Sequence, residues 1–235
     1  MTQEGQHVDE DFAIAAYFEL EVDEQDDHRS HYTPVEERAL SLLGRENRVG
    51  VAMRAPRPAE TSEPGQAAYD IGLMLVVHAH PECRFVWSRL VVDLSDTPGA
   101  VIEDMAPAEV EHNAVEVETR VGAGLKFTTV LKTVDIELKP ELARKRTVHF
   151  PTVTASGTGF RKAYWDFMAN KDNYLHANRE LRLLVSAPAG APVVASMALR
   201  ARLRLPGLPN LVPVRKRASL ESTVELVSEA VATNT

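Results

Sequence analysis

Apolar and polar residues alternate along much of the second half of the chain, most clearly in the stretch MALRARLRL. Successive residues of a strand lie on opposite faces, so a period of two separates this stretch into two rows. One row is Met197, Leu199, Ala201, Leu203 and Leu205, and the opposite row contains Arg200, Arg202 and Arg204. The pattern predicts a strand with a buried apolar face and an exposed basic face.

Similar apolar or alternating runs recur from about residue 67 and are separated by Gly, Pro and Asn turn signals. The predicted strands are YDIGLMLVVHAH, RFVWSRLVVDLS, AVIEDM, AVEVETRV, LKFTTVLKTVDIEL, RTVHFPTVTAS, FRKAYWDFM, ELRLLVSA and VVASMALRARLRL. No helix-length segment separates them, which favours antiparallel pairing. We therefore predict a mainly β fold, an antiparallel β-sandwich of about nine strands over residues 67–206.

Residues 1–66 are more polar and are predicted to form a small N-terminal region. Within it, TPVEERALSLLG predicts one α-helix over residues 33–44, because Thr33 can cap it, Pro34 suits its first turn and a glycine can end it. The segments DFAIAAYFELEV and VGVAMRA favour short strands, and the Pro-rich stretch PRPAETSEPGQ is interpreted as a linker. Residues 207–235 are predicted to be a C-terminal extension.

The composition argues against several classes of protein. The chain has 235 residues and a single cysteine, Cys83, which excludes a disulfide framework and a four-cysteine metal site within one chain. The first residues lack the basic and apolar segments of a secretory signal, and no run of about 18 apolar residues predicts a transmembrane helix. From these features we expect a soluble, cytoplasmic protein.

Charge is distributed unevenly between the two halves of the chain. Residues 1–118 contain 25 acidic and 8 basic residues, a net charge of −17, whereas residues 119–235 contain 9 acidic and 18 basic residues, a net charge of +9. Such asymmetry bears on association rather than on fold. It favours contacts between the two halves, either within one molecule or between two.

Two histidines form the clearest candidate for a metal site. His78 and His80 are two residues apart, so on a strand both lie on the same face, a suitable geometry for two ligands of one ion. With Gly72, they resemble the opening G-x5-H-x-H of the cupin motif, which implies a metal-dependent enzyme with both histidines as ligands. The chain departs from that motif at Arg84 and Phe85, where a glutamate is expected. Two polar histidines at a strand end are the simpler interpretation.

No other catalytic pattern is present in the sequence. The chain has no G-x-S-x-G segment, and the loop SGTG lacks the lysine and the helix of a phosphate-binding P-loop, so that it is interpreted as a turn. Cys83 lies between two oppositely charged residues and is expected to be unreactive. The sequence therefore favours a protein that is not an enzyme and that needs no cofactor.

The basic strand face is the leading candidate for an interaction surface. The predicted surface consists of Arg200, Arg202, Arg204, Arg144, Lys145 and Arg146. Neighbouring arginines repel one another and favour an anionic partner, which the acidic N-terminal region could provide. We therefore predict a structural, adaptor or assembly module that acts through protein–protein contacts, with a protein partner or as a homo-oligomer.

Two alternative functions stay open at this point. One is a cupin-like, metal-dependent enzyme that uses His78 and His80. The other is a protein that binds anionic lipid or nucleic acid through its basic strand face. Nucleic acid is the less favoured ligand, because the net charge is −8 and no known nucleic-acid-binding module is recognisable.

Overall fold

In the computed structural model, the chain forms two antiparallel β-sheets, which confirms the prediction of a mainly β sandwich. The structure describes residues 12–23, 43, 47–61, 63–122, 125–130, 143–169, 175, 179–205, 211–217 and 223–232, with backbone pairing alone for the strand residues between 111 and 151. The predicted helix over residues 33–44 lies outside the described residues, except for Leu43, which is helical.

The first sheet contains six strands within the described residues. They are β1 (Phe12–Phe18), β3 (Arg48–Arg54), β4 (Arg57–Ala59), β5 (Gln66–His78), β7 (Val101–Ala106) and β12 (Glu180–Pro188). Their order in space is β1-β3-β5-β12-β7, and β4 also pairs with β5. The long strand β5 therefore lies in the middle of this sheet, between β3 and β12.

The second sheet contains nine strands in the part of the chain that the structure describes. They are β2 (Leu20–Val22), β6 (Arg84–Asp93), β8 (Glu109–Gly122), β9 (Leu125–Val130), β10 (Ala143–Ser156), β11 (Lys162–Met168), β13 (Val193–Arg204), β14 (Leu211–Lys216) and β15 (Thr223–Val227). Their order is β2-β14-β13-β6-β11-β10-β8-β9, and β15 also pairs with β13. A short helix, α1 (Glu229–Ala232), follows β15.

The nine strands predicted from the sequence correspond, in the same order, to β5 through β13. Their alternation is visible in the core between the sheets. The predicted apolar row of β13 is buried, and each of its members, Met197, Leu199, Ala201, Leu203 and Leu205, is at most 2% exposed. From the first sheet, β5 contributes Tyr69, Ile71, Leu73 and Leu75, all fully buried. Burial of one such large side chain stabilises the fold by about 1.5–3 kcal/mol.

The turn between β10 and β11 connects the two sheets. Gly157 and Gly159 have φ angles of 130° and 82°, which confirms the interpretation of this loop as a glycine-dependent turn. The backbone N–H of Gly159 donates to the carbonyl of Ile102 at 2.7 Å, and the N–H of Ile102 donates to the carbonyl of Phe160 at 3.0 Å. The turn of the second sheet is thereby hydrogen-bonded to β7 of the first.

The N-terminal strands belong to both sheets. β1 pairs with β3 in the first sheet, whereas β2 pairs with β14 in the second, so the chain passes from one sheet to the other at Glu19. Strands from the predicted N-terminal region (1–66) and C-terminal extension (207–235) are thus hydrogen-bonded to strands from residues 67–206. The division of the chain into these three parts stays a prediction.

Candidate functional site

Five strands of the second sheet place charged residues in one row across its exposed face. The row contains Asp166, Arg89, Arg200, Arg215 and Glu21, in this order, because each residue lies opposite the next in the strand register. Three arginines therefore occupy the middle of the row, and one carboxylate lies at each end. Opposite charges at neighbouring positions offset part of the repulsion between the arginines.

Ion pairs hold both ends of this row in place. Arg89 donates two hydrogen bonds to Asp166, from Nε to Oδ1 at 2.8 Å and from Nη2 to Oδ2 at 2.7 Å. The hydrogen-bonded carboxylate raises the pKa of Arg89 above its ordinary value, since it stabilises the charged guanidinium. At the other end, Arg215 donates from Nε to Oε1 of Glu21 at 3.1 Å.

Acidic residues next to β2 lie against the same basic face. Nε of Arg200 is 3.6 Å from Oδ2 of Asp23, whose side chain is only 3% exposed. Arg217, directly after β14, donates from Nη1 to Oε2 of Glu19 at 2.9 Å. The acidic N-terminal half and the basic C-terminal half of one molecule are therefore in contact, which is one of the two arrangements that the charge asymmetry favours.

Aromatic rings extend this face beside the arginines. The guanidinium carbon of Arg89 lies 4.1 Å from the ring centre of Tyr164 and 5.6 Å from that of Trp87. The guanidinium carbon of Arg202 lies 5.2 Å from the centre of the same Trp87 ring. Cations at these distances are attracted to the faces of aromatic rings, so the stack orders both arginines.

The six residues of the predicted interaction surface lie on two strands. Arg200, Arg202 and Arg204 alternate along β13 on the face opposite the core. The second group, Arg144, Lys145 and Arg146, lies in β10 and is paired in register with β8. The structure thus brings the first three together on one exposed face. Their role as an interaction surface stays a prediction.

One of the two histidines of the candidate metal site lies on a strand, and the other lies just beyond its end. His78 is the last residue of β5, opposite Arg48, whereas His80 belongs to the turn that follows. Nδ1 of His80 accepts a hydrogen bond from the backbone N–H of Glu82 at 3.2 Å. Across the described ranges, no group of three His, Cys, Asp or Glu residues is arranged to hold a metal ion. Metal binding by the two histidines stays a prediction.

Gly72, the first residue of the cupin-like spacing, has a packing role. A Cβ atom at Gly72 would lie 3.0 Å from Nε of Arg54. Arg54 itself extends from β3 toward two carboxylates, with Nη1 3.0 Å from Oε1 of Glu180 and Nη2 3.8 Å from Oδ2 of Asp70. The absence of a side chain at Gly72 therefore allows a salt-bridge network to lie flat on the first sheet.

The sequence of β8, of β9 and of the residues between and directly after them carries one continuous pattern. From position 113 to position 133, the odd-numbered residues include no charged side chain, whereas the even-numbered residues include five. The odd row is Asn113, Val115, Val117, Thr119, Val121, Ala123, Leu125, Phe127, Thr129, Leu131 and Thr133, and the charged members of the even row are Glu116, Glu118, Arg120, Lys126 and Lys132. The row is recognisable only when β8, β9 and the residues between them are considered as one stretch of sequence, because each strand alone shows only part of it.

The uncharged row has the length of a membrane-spanning hairpin. It ends at two charged residues of the same parity, Glu111 and Asp135, which are equally distant from Ala123 at its centre. The arms on either side of Ala123, 113–122 and 124–133, have ten residues each. A strand that crosses a bilayer needs about 9–11 residues and alternates between apolar and polar positions.

In the described register, this row does not lie on one face of the hairpin. In the described hairpin Val117 lies opposite Val130, Thr119 opposite Thr128 and Gly122 opposite Leu125. Residues directly opposite one another in an antiparallel pair share a face, so the odd row of β8 shares a face with the even row of β9. An ordinary half-buried hairpin would have both apolar rows on the core side. The continuous odd row therefore needs another explanation.

Comparison with known proteins gives structural neighbours only. No protein-family model matches the sequence, and no curated protein matches it. The chain is similar in structure to the Clostridium perfringens delta-toxin (10% identity, 75% of this chain and 83% of that chain covered, TM-score 0.35). It is similar to the Clostridium perfringens NetB toxin in the membrane-inserted form (10% identity, 76% of this chain and 88% of that chain covered, TM-score 0.32). It is also similar to a pore-forming protein (10% identity, 91% of this chain and 94% of that chain covered, TM-score 0.34). At this similarity no residue role is transferred.

These neighbours contradict the function predicted from the sequence. Two are toxins, one of them in a membrane-inserted form, and the third is a pore-forming protein, whereas we predicted a cytoplasmic adaptor or assembly module. That prediction is wrong. The two alternatives, a cupin-like enzyme and a basic-face binder of anionic lipid or nucleic acid, find no support in these neighbours. The sequence misled because the adaptor interpretation rested on missing catalytic motifs. None of the helices that the structure describes is long and apolar enough to span a bilayer.

Proposed function

We propose that this chain is a membrane-inserting protein that forms a pore as an assembly of several copies. Residues 113–133 provide the inserting hairpin in this proposal. The observation that carries it is the uncharged odd row of the sequence, which begins at Asn113 in β8, continues past the end of β9 to Thr133, and is bounded by Glu111 and Asp135. The basic face of β13 has no part in it.

The two rows suit two different surroundings. With its odd row toward lipid, the hairpin would present valine, leucine, phenylalanine and threonine to the hydrocarbon. Its even row, with Glu116, Glu118, Arg120, Lys126 and Lys132, would face water. A lysine or arginine on the lipid side costs about 2–4 kcal/mol near the middle of the bilayer and an acidic residue costs less, whereas the water-filled side tolerates charge. The absence of charge from the odd row alone is what this division requires.

The length of the arms agrees with the thickness of a membrane. Ten residues at about 3.3 Å per residue give a strand of about 33 Å. Tilted by about 40°, such a strand covers about 25 Å along the membrane normal, the height of the apolar band of membrane strands.

Backbone hydrogen bonding requires several copies. A single hairpin leaves the N–H and C=O groups on its two outer edges without partners, and the bilayer core offers no water to satisfy them. Hairpins from neighbouring copies can pair edge to edge until the ring closes. Self-association therefore follows from the insertion of a two-stranded element, and the expected product is a homo-oligomer.

Release of a trapped dye from lipid vesicles tests this function. Val117→Glu places a charge in the odd row and should reduce the rate of release about tenfold or more, since it puts a charge against lipid. The matched control, Thr128→Glu, adds the same charge to the even row of the same hairpin and should keep release within about twofold of wild type. Circular dichroism in water confirms that both variants keep the fold. The proposal would be refuted if both variants lost the same fraction of the dye-release rate, or if the wild-type protein released no dye.

A further inference from the structure

We infer that the β8–β9 hairpin shifts its register by one residue when it inserts. The inference rests on the proposed function and specifies how that function is held back in water. It starts from the disagreement between the odd row of the sequence and the register of the described strands. Because side chains alternate with a period of two, a shift by one residue moves one strand's entire row to the other face.

In the described register, neither face of the hairpin is free of charged positions. The positions Val117 and Val121 of β8 share a face with Lys126 of β9, because Val121 lies opposite Lys126. The positions Leu125 and Phe127 of β9 share the other face with the charged row of β8, because Arg120 lies opposite Phe127. A hairpin of this register would carry charge into lipid on either side.

The same register extends to the neighbouring strand. In the pairing of β8 with β10, Arg146 lies opposite Val117 and Arg144 lies opposite Thr119. The apolar row of β8 therefore has basic positions beside it on both edges, Lys126 of β9 and the two arginines of β10. This three-stranded arrangement therefore mixes charged and apolar positions on each face, so that neither face is a continuous apolar surface.

A shift by one residue separates the rows completely. If Val121 lay opposite Leu125, Val117 would lie opposite Thr129, and every odd residue of both arms would share one face. The five charged residues would then occupy the other face. Arg120 would lie opposite Lys126, a like-charge pair near the turn on the water side. The hairpin would have to leave β10, whose arginine positions would otherwise remain beside the apolar row.

The turn sequence is compatible with both registers. In the described pairing, Gly122 lies opposite Leu125, so two residues of the sequence separate these paired positions. In the shifted pairing, the three residues Gly122, Ala123 and Gly124 would connect the strands. Two-residue turns favour glycine at the second position, and three-residue turns favour it at the third. Gly124 occupies the favoured position in either case.

Pairs of introduced cysteines distinguish the two registers. Val117→Cys with Val130→Cys joins positions that are opposite in the described register, and Val117→Cys with Thr129→Cys joins positions that would be opposite after the shift. The only native cysteine, Cys83, is fully buried and stays in place in both variants. The single variant Val117→Cys controls for cross-links between molecules.

We expect the 117–130 pair to form a disulfide in water under a mild oxidant. The oxidised protein should release dye at least about tenfold more slowly than the reduced protein, and reduction should restore the rate. The 117–129 pair should cross-link mainly after lipid vesicles are added and should then retain dye release.

Two results would overturn the inference while leaving the proposed function intact. One is an oxidised 117–130 variant that releases dye as fast as its reduced form. The other is a 117–130 pair that does not cross-link in water. If the wild-type protein released no dye at all, the proposed function would fail first, and the register shift with it.

Discussion

Arg89 and Asp166 lie opposite one another on β6 and β11 and form a two-pronged ion pair on the exposed face of the second sheet. The guanidinium of Arg89 also stacks on Tyr164, which lies two residues before Asp166 on β11. Its central carbon is 4.1 Å from the centre of the tyrosine ring. The same guanidinium therefore contacts both the carboxylate and the aromatic ring. This pair fixes one end of a charged row that crosses five strands.

Removal of that carboxylate charge should destabilise the fold. Asp166→Asn replaces one half of a bidentate ion pair and should lower the free energy of unfolding by about 1 kcal/mol. Urea unfolding followed by tryptophan fluorescence measures the change. The control Glu103→Gln neutralises an exposed carboxylate on β7 and should change stability by less than about 0.5 kcal/mol. Equal effects in both variants would show that the ion pair contributes nothing.

Two glycines of the same turn should respond differently to alanine. Gly157 has a φ of 130°, and a Cβ there would lie 2.4 Å from the Cα of Ala163. Gly157→Ala should therefore lower the free energy of unfolding by more than about 2 kcal/mol. Gly159 has a φ of 82° and open space around its Cα, so Gly159→Ala should cost only about 1 kcal/mol for the left-handed conformation. Thermal unfolding compares the two. A larger loss in Gly159→Ala would contradict this account.

Two buried hydroxyls should also behave in opposite ways. Oγ1 of Thr97 donates to the carbonyl of Val194 at 2.9 Å and accepts from its N–H at 2.8 Å, which connects the loop after β6 to β13. Thr97→Val should therefore cost about 1–3 kcal/mol. Oγ of Ser88 is buried and has no hydrogen-bond partner among the residues that the structure describes. Ser88→Ala should be neutral or slightly stabilising. Chemical denaturation of both variants checks the contrast, which a destabilised Ser88→Ala protein would contradict.

The stability of the first sheet should depend on pH through Asp70. The hydrogen bond from Arg182 is the main cause that holds the pKa of Asp70 below its ordinary value, with smaller contributions from the charges of Arg182, Arg54 and Arg57. A lowered folded-state pKa stabilises the fold above the unfolded value of about 3.9, and this contribution is lost as the pH falls through the folded value. At pH 7 the free energy of unfolding of the wild-type protein should exceed that of Asp70→Asn by up to about 1 kcal/mol. The difference is small because the Asp70–Arg182 pair lies near the surface.

Unfolding of both proteins between pH 7 and pH 3 tests the sign of that dependence. The difference between them should stay constant down to about pH 4 and shrink below it, because a protonated Asp70 no longer attracts Arg182. A difference that is the same at pH 3 and at pH 7 would show that the charge of Asp70 is not what stabilises the sheet.

Local patterns determined the strands and their buried faces. Alternation along β13 identified its buried row from Met197 to Leu205, and turn residues separated all nine strands from β5 to β13. Both signals lie within a few residues of one another in the sequence, because the period of a strand and the geometry of a turn are local properties of the backbone. The uncharged row from Asn113 to Thr133 was equally present in the sequence.

Pairing between strands was decided only by the tertiary structure. No local pattern places Glu21 at the end of the row that begins with Asp166, or divides β1 and β2 between two sheets. The register of β8 against β9 and β10 likewise depends on partners, since a slip by one residue leaves each strand's own alternation unchanged and reverses what faces what. The sequence alone therefore determined which residues alternate, and the contacts between distant strands decided which of them share a face.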